Sequence, residues 1–149
     1  MRLVVQRVSE AELWIDDKLY SSIGRGILAL LGIESNDKST DINYLVDKLI
    51  NLRIFPDEND VMNHSLMDIA GELLIVSQFT LYGDCRKGRR PSYSNAMTPN
   101  LAEPMYNEFV EKAKSYKLNV QTGKFQAMMD IKLTNWGPVT LLLDSKKVF

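Results

Sequence analysis

Leu73-Leu74-Ile75-Val76-Ser77-Gln78-Phe79-Thr80-Leu81 is the stretch of this 149-residue chain that decides the fold. Its first four residues form a continuous apolar run, and Gly71 precedes them. A short apolar run of this kind is typical of a strand with both faces buried, so we predict a central strand here. Polar side chains follow at once, at Ser77, Gln78 and Thr80. The end of a rigid strand can hold these groups, and the backbone N–H groups beside them, at a fixed place.

The residues before this stretch predict further strands. Three segments rich in apolar and β-branched residues favour antiparallel strands, at 4–8, 11–15 and 19–23. Gly24-Arg25-Gly26 then permits a sharp bend into a buried strand at 27–33. The first part of the chain is therefore predicted to be mainly sheet.

Two amphipathic helices are also predicted. Ser39 and Thr40 are N-cap candidates, and apolar residues recur at helical spacing from Ile42 to Ile50. The second helix is expected at 101–115. Two more strand patterns follow it, at 127–133 and 139–143. No linker or repeat divides the chain, so we predict one α/β domain over residues 1–149, with a mostly antiparallel sheet.

The composition is that of a soluble globular protein, with 45% hydrophobic and 25% charged residues. No apolar run approaches the roughly 20 residues that cross a bilayer, and the N-terminus lacks the layout of a signal peptide. The single cysteine, Cys85, excludes an internal disulfide and suits a reducing compartment, so we expect a cytoplasmic protein without membrane contact. A formal net charge of −1 argues against non-specific coating of nucleic acid, and no DNA partner is expected.

The sequence lacks the residue patterns of the common hydrolase sites. Its one histidine, His64, has no Gly-x-Ser-x-Gly motif to accompany it, so a Ser-His-Asp site is not predicted. No cluster of His, Cys, Asp and Glu has metal-ligand spacing, and no glycine-rich phosphate loop is present, so neither a metal nor a cofactor is expected. A thiol hydrolase based on Cys85 stays open as an alternative, because the basic residues Arg86 and Lys87 adjoin it.

A second segment, near the C-terminus, completes a pattern. It is Asn135-Trp136-Gly137-Pro138-Val139-Thr140. Together with residues 77–81, it resembles the two signature motifs of the D-aminoacyl-tRNA deacylases, which remove wrongly charged amino acids from tRNA. The resemblance extends from the opening Met1–Val8 to the closing Leu141–Asp144.

This resemblance implies both a fold and an activity. The fold is a compact α/β domain with a mostly antiparallel, barrel-like sheet and two main helices, and the molecule is a homodimer. The activity is hydrolysis of the ester bond of D-aminoacyl-tRNA, a chirality proofreading step in translation quality control. The chain departs from the usual family pattern at Trp136 and Met128, where an acid is more common. These departures bear on fine substrate preference and local hydrogen bonding.

Catalysis is assigned by the resemblance to Ser77, Gln78, Phe79 and Thr80. A hydrolase without an evident acid, base or metal needs an easy bond or help from its substrate. An aminoacyl-tRNA offers an activated ester beside a ribose 2′-hydroxyl group. Backbone N–H groups of the motif can then stabilise the tetrahedral oxyanion. Whether the 2′-hydroxyl or Thr80 activates water stays open, but we expect the backbone to contribute more than the Thr80 side chain.

The Gly137-Pro138 pair accounts for selectivity if the resemblance holds. In the family this peptide bond is cis, and the dipeptide of one subunit enters the active site of the other. Its carbonyl groups, with Met129 as a further substrate-binding residue, would accept a D-residue and clash with the side chain of an L-residue. Such a steric filter cannot reject glycine, so activity on glycyl-tRNA, including mischarged glycyl-tRNA(Ala), is expected. A plain tight turn is the structural alternative for Gly-Pro.

A basic run follows the first motif and suggests contacts with tRNA. The residues are Arg86, Lys87, Arg89 and Arg90. Such a run is most often a solvated loop, but its place near the candidate site makes phosphate contacts near the acceptor end plausible. The nearby Tyr82 and Tyr93 are candidates for stacking on the terminal adenine, with packing as the alternative.

Three rivals to the deacylase prediction follow from the absence of a visible catalytic side chain. One is a non-catalytic tRNA- or RNA-binding module of the same fold, which would bind tRNA without turnover. Another is the Cys85 thiol hydrolase, which thiol alkylation would silence. The last is a dimeric scaffold, for which neither binding nor turnover would be found.

Overall fold

The computed structural model describes residues 1–148. Within them, a long strand and two shorter ones come first, and they are β1 (Arg2–Ile15), β2 (Lys18–Ile23) and β3 (Gly26–Gly32). The middle of the chain contains α1 (Ser39–Ile50), β4 (Phe55–Pro56), β5 (Met62–His64), β6 (Glu72–Ser77) and a 3-10 helix (Phe79–Tyr82). The last part contains α2 (Pro99–Lys114), β7 (Asn119–Thr122) and β8 (Asp130–Asp144). No helix among these residues is long and apolar enough to cross a membrane.

The main sheet has six strands, and β1 holds it together. It pairs antiparallel with β8 on one edge and with β3 and β2 in succession on the other. β6 lies between β3 and β7 and runs parallel to both. The predictions of a strand buried between two others at 73–76 and of a mostly antiparallel sheet are therefore confirmed, and the only parallel pairs among the described residues are those of β6 with β3 and with the edge strand β7.

Two hydrophobic cores lie on opposite faces of this sheet. Successive residues of β6 alternate between them, because side chains of a strand point to opposite faces in turn. Leu73 and Ile75 join the core under α1 and α2, whereas Leu74 and Val76 join a smaller core. The smaller core is enclosed by the C-terminal half of β1, the N-terminal half of β8 and β2, which fold over the sheet. The result is a compact α/β domain with a nearly closed, barrel-like sheet.

The structure corrects several predicted boundaries. The strands predicted at 4–8 and 11–15 form the single strand β1. The strands predicted at 127–133 and 139–143 likewise form the single strand β8, which begins only at Asp130. β7 and the small sheet of β4 and β5 were not predicted. The N-cap of α1 is Lys38, not Ser39 or Thr40, and its backbone N–H donates to Oδ2 of Asp41 at 2.8 Å.

The prediction of one domain covers residues 1–149. It includes Phe149, which lies outside the described residues.

A close approach of β3 to β6 fixes the central strand in place. Gly26 lies opposite Glu72, and a Cβ atom on Gly26 would stand only 1.9 Å from the Glu72 carbonyl oxygen. Only glycine permits this backbone contact. Gly24 is different, because its Cβ would meet nothing nearer than the Glu72 carboxylate at 3.7 Å.

We therefore predict that Gly26→Ala lowers the free energy of unfolding by about 3 kcal/mol or more, since two backbone segments must separate. Gly24→Ala is the matched control and should change it by about 0.5 kcal/mol or less. Urea unfolding of the three proteins measures both values. Equal stability of the two variants would show that the contact with Glu72 does not constrain the sheet.

Candidate functional site

The first motif lies where β6 ends and the 3-10 helix begins. The N–H of Gln78 stays in the sheet and donates to the Leu31 carbonyl oxygen at 2.7 Å. It is therefore not free to bind an oxyanion, contrary to the prediction for this residue. The next two N–H groups, of Phe79 and Thr80, belong to the first turn of the helix, which has no partner for them. Neither donates to an acceptor within residues 1–148.

The side chains of the motif are arranged around these N–H groups. Nε2 of Gln78 donates to Oγ1 of Thr80 at 2.5 Å. The Thr80 hydroxyl keeps its own hydrogen and one further lone pair for another group. Ser77 and Gln78 are half-buried, whereas Phe79 and Thr80 are exposed. The structure thus brings all four predicted residues together at one end of the central strand.

An exposed aromatic pair flanks the motif. The rings of Phe79 and Tyr93 meet edge to face, with their centres 5.0 Å apart, and 57% of Phe79 is exposed. Tyr82 behaves differently. It is buried beneath the Arg2 guanidinium group, 4.5 Å from its ring centre, and burial raises the pKa of its hydroxyl. Of the two alternatives given for Tyr82, packing is therefore the one that the structure shows, whereas Tyr93 is exposed and available for stacking.

The basic run lies in an exposed loop, and backbone hydrogen bonds between Asp84 and Ser92 join the two ends of this loop. Arg86 is already engaged, since its Nη2 lies 2.7 Å from Oδ2 of Asp84. Hydrogen bonds from Arg86 hold the pKa of the Asp84 carboxyl group well below its usual range. The other three residues of the basic run are Lys87, Arg89 and Arg90. They are exposed, and none of them forms an ion pair with a described residue.

The residues of the proposed thiol site lie apart in the fold. Cys85 is exposed in the basic loop, and His64 is in β5, paired with Phe55. No hydrogen bond joins the thiol to the imidazole in the part of the chain that the structure describes.

The second motif forms a wide bulge in β8. Thr140 is opposite Gln6, and Asn135 is opposite Val8, so four residues of β8 face Arg7 alone. These four residues are extruded from the ladder as the β8 bulge, Trp136–Val139. Gly137 and Pro138 at its tip are exposed, and the peptide bond between them is cis, as the resemblance implied.

Asn135 closes the neck of the β8 bulge. Its Oδ1 accepts the N–H of Val139 at 2.7 Å, and its Nδ2 donates to the Thr140 hydroxyl at 3.0 Å. The side chain thereby replaces backbone ladder bonds that the bulge interrupts. Val139 is buried in the core beneath the helices, so the bulge is anchored on both sides.

Arg7 supports the bulge from below, and sequence reasoning missed it. Only 6% of its surface is exposed. Its Nε donates to the Trp136 carbonyl oxygen at 2.8 Å, and its Nη1 donates to the Ile54 carbonyl oxygen at 2.5 Å. A Cβ atom on Gly137, whose φ is +138°, would stand 2.7 Å from Nη2 of Arg7. The signal in the sequence was an arginine at a core-facing place in the apolar pattern of β1.

The two motifs of one chain do not meet. Through the strand registers, Ser77 is level with Leu3 of β1, whereas the β8 bulge is level with Arg7, four residues further along. Two strands, β3 and β1, separate β6 from β8. At about 3.3 Å per residue and about 4.8 Å per strand, the two places are roughly 20 Å apart. A single chain therefore does not combine them in one site.

Met129 belongs to the first motif rather than to the bulge. It packs on the smaller core that contains Val76, the residue before Ser77. Its sulfur lies beside Gly123, only 2.8 Å from where a Cβ atom on that residue would stand. The N–H of Gly123 in turn donates to the Ile75 carbonyl oxygen at 3.0 Å. Met129 thus lies near the carboxyl end of the central strand.

Comparisons with known proteins show the family to which this chain belongs. The family model described as D-Tyr-tRNA(Tyr) deacylase matches residues 4–144. The D-aminoacyl-tRNA deacylases of Clostridioides difficile (strain 630) and Thermosipho africanus (strain TCF52B) are each 60% identical over 149 residues, with full coverage of both chains.

Two solved structures are similar in fold. One, named c-Myc DNA Unwinding Element Binding Protein, has a TM-score of 0.91 at 40% identity, over 97% of this chain and 98% of that one. The other, described as a probable eukaryotic D-amino acid tRNA deacylase, has a TM-score of 0.83 at 18% identity, over 95% and 97% of the two chains. At that identity the second likeness concerns the fold alone. The chain belongs to the D-Tyr-tRNA(Tyr) deacylase family, and its relatives support the activity of a D-aminoacyl-tRNA deacylase, a hydrolase that acts on the tRNA ester bond.

Proposed function

We propose that this chain hydrolyses the ester bond of D-aminoacyl-tRNA at the carboxyl end of β6. The observation that carries the proposal is the pair of N–H groups of Phe79 and Thr80, which have no acceptor within the described residues. They directly follow Gln78, whose N–H is bonded to Leu31 of β3, so the sheet holds the backbone that leads into them. Fixed donors of this kind stabilise the oxyanion that develops when water attacks an ester carbonyl.

The reaction needs little else from the protein. Water adds to the carbonyl carbon, the bond from that carbon to the ribose oxygen breaks, and the products are the free amino acid and the tRNA hydroxyl. A vicinal 2′-hydroxyl of the substrate can orient the water and exchange protons with it. Gln78 already donates to one lone pair of the Thr80 hydroxyl oxygen, and no general base is bonded to the hydroxyl hydrogen among the described residues, which favours a water-orienting role for Thr80 over that of a nucleophile.

The β8 bulge is proposed as the chiral filter. Its exposed tip, Gly137-Pro138, is backbone held by Asn135 and Arg7, and such a wall does not yield to a side chain. An L-residue would direct its side chain at this wall, and a D-residue would direct only a hydrogen atom. Glycine has no side chain to exclude, so glycyl-tRNA(Ala) is proposed as a further substrate. Met129 is proposed to contact the substrate from the β6 side.

Because the two motifs lie roughly 20 Å apart in one chain, the filter must come from a second copy. We therefore propose a homodimer in which the bulge of each subunit reaches the first motif of its partner. A two-fold interface uses the same surface twice and makes two equivalent sites. The outer edge of β8 pairs with no strand among the described residues, and Leu142 on it is 57% exposed.

A direct assay tests the function. We expect rapid hydrolysis of D-tyrosyl-tRNA and glycyl-tRNA(Ala), and none above background for L-tyrosyl-tRNA, in the presence of a chelator. Tight tRNA binding with no loss of any ester would contradict the proposal and favour the non-catalytic module. Hydrolysis of all three esters would support the oxyanion site and contradict the filter. Failure on glycyl-tRNA alone would contradict steric selection.

Subunit complementation tests the shared site. Phe79→Pro removes one proposed donor but suits the first position of a helix, so it should be inactive, whereas Phe79→Ala keeps the N–H. Gly137→Ala should hydrolyse both D- and L-tyrosyl-tRNA, because its Cβ would displace the bulge from Arg7.

Co-expression with two affinity tags isolates the mixed dimer of Phe79→Pro and Gly137→Ala chains. Its one competent site combines the first motif of the Gly137→Ala chain with the unaltered bulge of its partner. We predict that this dimer regains rejection of L-tyrosyl-tRNA. Continued hydrolysis of both esters would mean that each chain supplies its own filter.

Phosphate contacts are proposed for Lys87, Arg89 and Arg90, because they are exposed and unpaired by a described carboxylate. Replacing these three residues by Gln should weaken the binding of tRNA that carries no amino acid. It should also lower the magnitude of the slope of log K against log salt concentration by about one per charge removed. Arg86→Gln is the matched control and should have less effect, because Asp84 already offsets its charge. Equal effects, or none, would contradict this assignment.

A nucleic-acid-binding module without hydrolysis is the second candidate. One structural neighbour is named for binding a DNA element, and the basic loop supplies charge that a nucleic acid would meet. We favour tRNA over DNA, since the relatives of highest identity given above are named for the tRNA ester. The single, exposed Cys85 suits the cytoplasmic location that we also propose.

A further inference from the structure

Two arginines approach one tryptophan at the base of the β8 bulge. The Arg7 guanidinium group lies 4.4 Å from the centre of the Trp136 ring, and that of Arg25 lies 4.5 Å from the same point. The two cations are therefore at most about 9 Å apart, within the range of charge repulsion. The ring also tilts against Phe55, with ring centres 6.4 Å apart, which keeps it in position.

Neither charge has an ion-pair partner among the described residues. Within residues 1–148, neither Arg7 nor Arg25 forms an ion pair with Asp or Glu. Burial, and after it the charge of Arg25, lowers the pKa of Arg7. The indole ring of Trp136 is the group that both cations contact, and its electron-rich faces attract guanidinium groups.

The position of Arg7 matters because it determines the position of the bulge. Arg7 donates to the carbonyl oxygen of Trp136 itself, the residue before Gly137. If Arg25 repelled Arg7 from that oxygen, the first peptide of the bulge would lose its support. A shift of about 1 Å at a selective wall can change rates by about 100-fold.

We propose that Trp136 is a positioning residue for chiral selection. Its ring offsets the repulsion between Arg7 and Arg25 and so keeps Arg7 hydrogen-bonded beneath Gly137 and Pro138. This rests on the proposed function of the bulge as a filter. Arg25 is an active part of the arrangement, because its charge makes the ring necessary.

The test compares Trp136→Leu, Trp136→Phe and the double variant Trp136→Leu/Arg25→Gln with the unaltered protein. The readout is the ratio of kcat/KM for D-tyrosyl-tRNA to that for L-tyrosyl-tRNA. We expect Trp136→Leu to lower the ratio about tenfold or more. Trp136→Phe retains an aromatic face and should stay within about threefold. Removing the Arg25 charge should restore most of the ratio in the double variant, as a coupling between neighbours requires.

Trp14 provides the matched control. The centre of its ring lies 4.6 Å from the Lys132 ammonium group, so it also contacts a cation. Trp14 is near the C-terminal end of β1, however, seven residues beyond Arg7. Trp14→Leu should leave the ratio unchanged. An undiminished ratio in Trp136→Leu, or a double variant as unselective as Trp136→Leu, would overturn the proposal, because simple packing predicts no rescue by Arg25→Gln.

A second readout does not depend on hydrolysis. Hydrogen exchange of the Arg7 Nε–H, followed by NMR, should become faster in Trp136→Leu and slow again in the double variant. If the unaltered protein hydrolyses no ester but exchange follows this order, the proposed function fails while the charge balance stands. If exchange is the same in all variants, the charge balance itself is wrong.

Discussion

The burial of the Arg7 guanidinium group is the constraint on which the second motif depends. A cation inside a protein must find hydrogen-bond acceptors, since it has lost those of water. Arg7 finds them in the carbonyl groups of Ile54 and Trp136, which belong to the segment before β4 and to the β8 bulge. These carbonyls face inward instead of pairing in a ladder, so Arg7 and the bulge stabilise each other. The same contact leaves no room for a Cβ atom at Gly137.

The sheet then determines how the two motifs relate. β6 lies between β3 and β7 and holds the first motif at its carboxyl end, beside β3, whereas β8 carries the bulge on the far side of β1. Both places are rigid, since one is the centre of the sheet and the other is clamped by Asn135 and Arg7. Two rigid places separated by two strands are not brought together by a loop movement. This separation is the reason for proposing that two chains share each site.

The sequence predicted the first motif better than the second, and the reason is physical. The apolar run at 73–76 is buried on both faces, so its pattern alone indicates a central strand. The bulge depends on a register shift opposite Arg7, and a register is decided by the partner strand. Local sequence around Gly-Pro therefore indicated only a turn between two strands. β7, with Val120 as its one aliphatic residue, is a strand because β6 offers it an edge.

The residue between Asn135 and Gly137 illustrates how one structural demand can be met by different chemistry. The family pattern described above has an acid at this position, and this chain has Trp136. An acid beside Arg7 and Arg25 would offset their charges by ion pairing, whereas an indole ring does so through its face. The ring adds contact with Phe55, which a carboxylate would not provide. The departure from the family pattern therefore need not weaken the bulge, because the requirement at this position is a partner for two cations rather than a particular side chain.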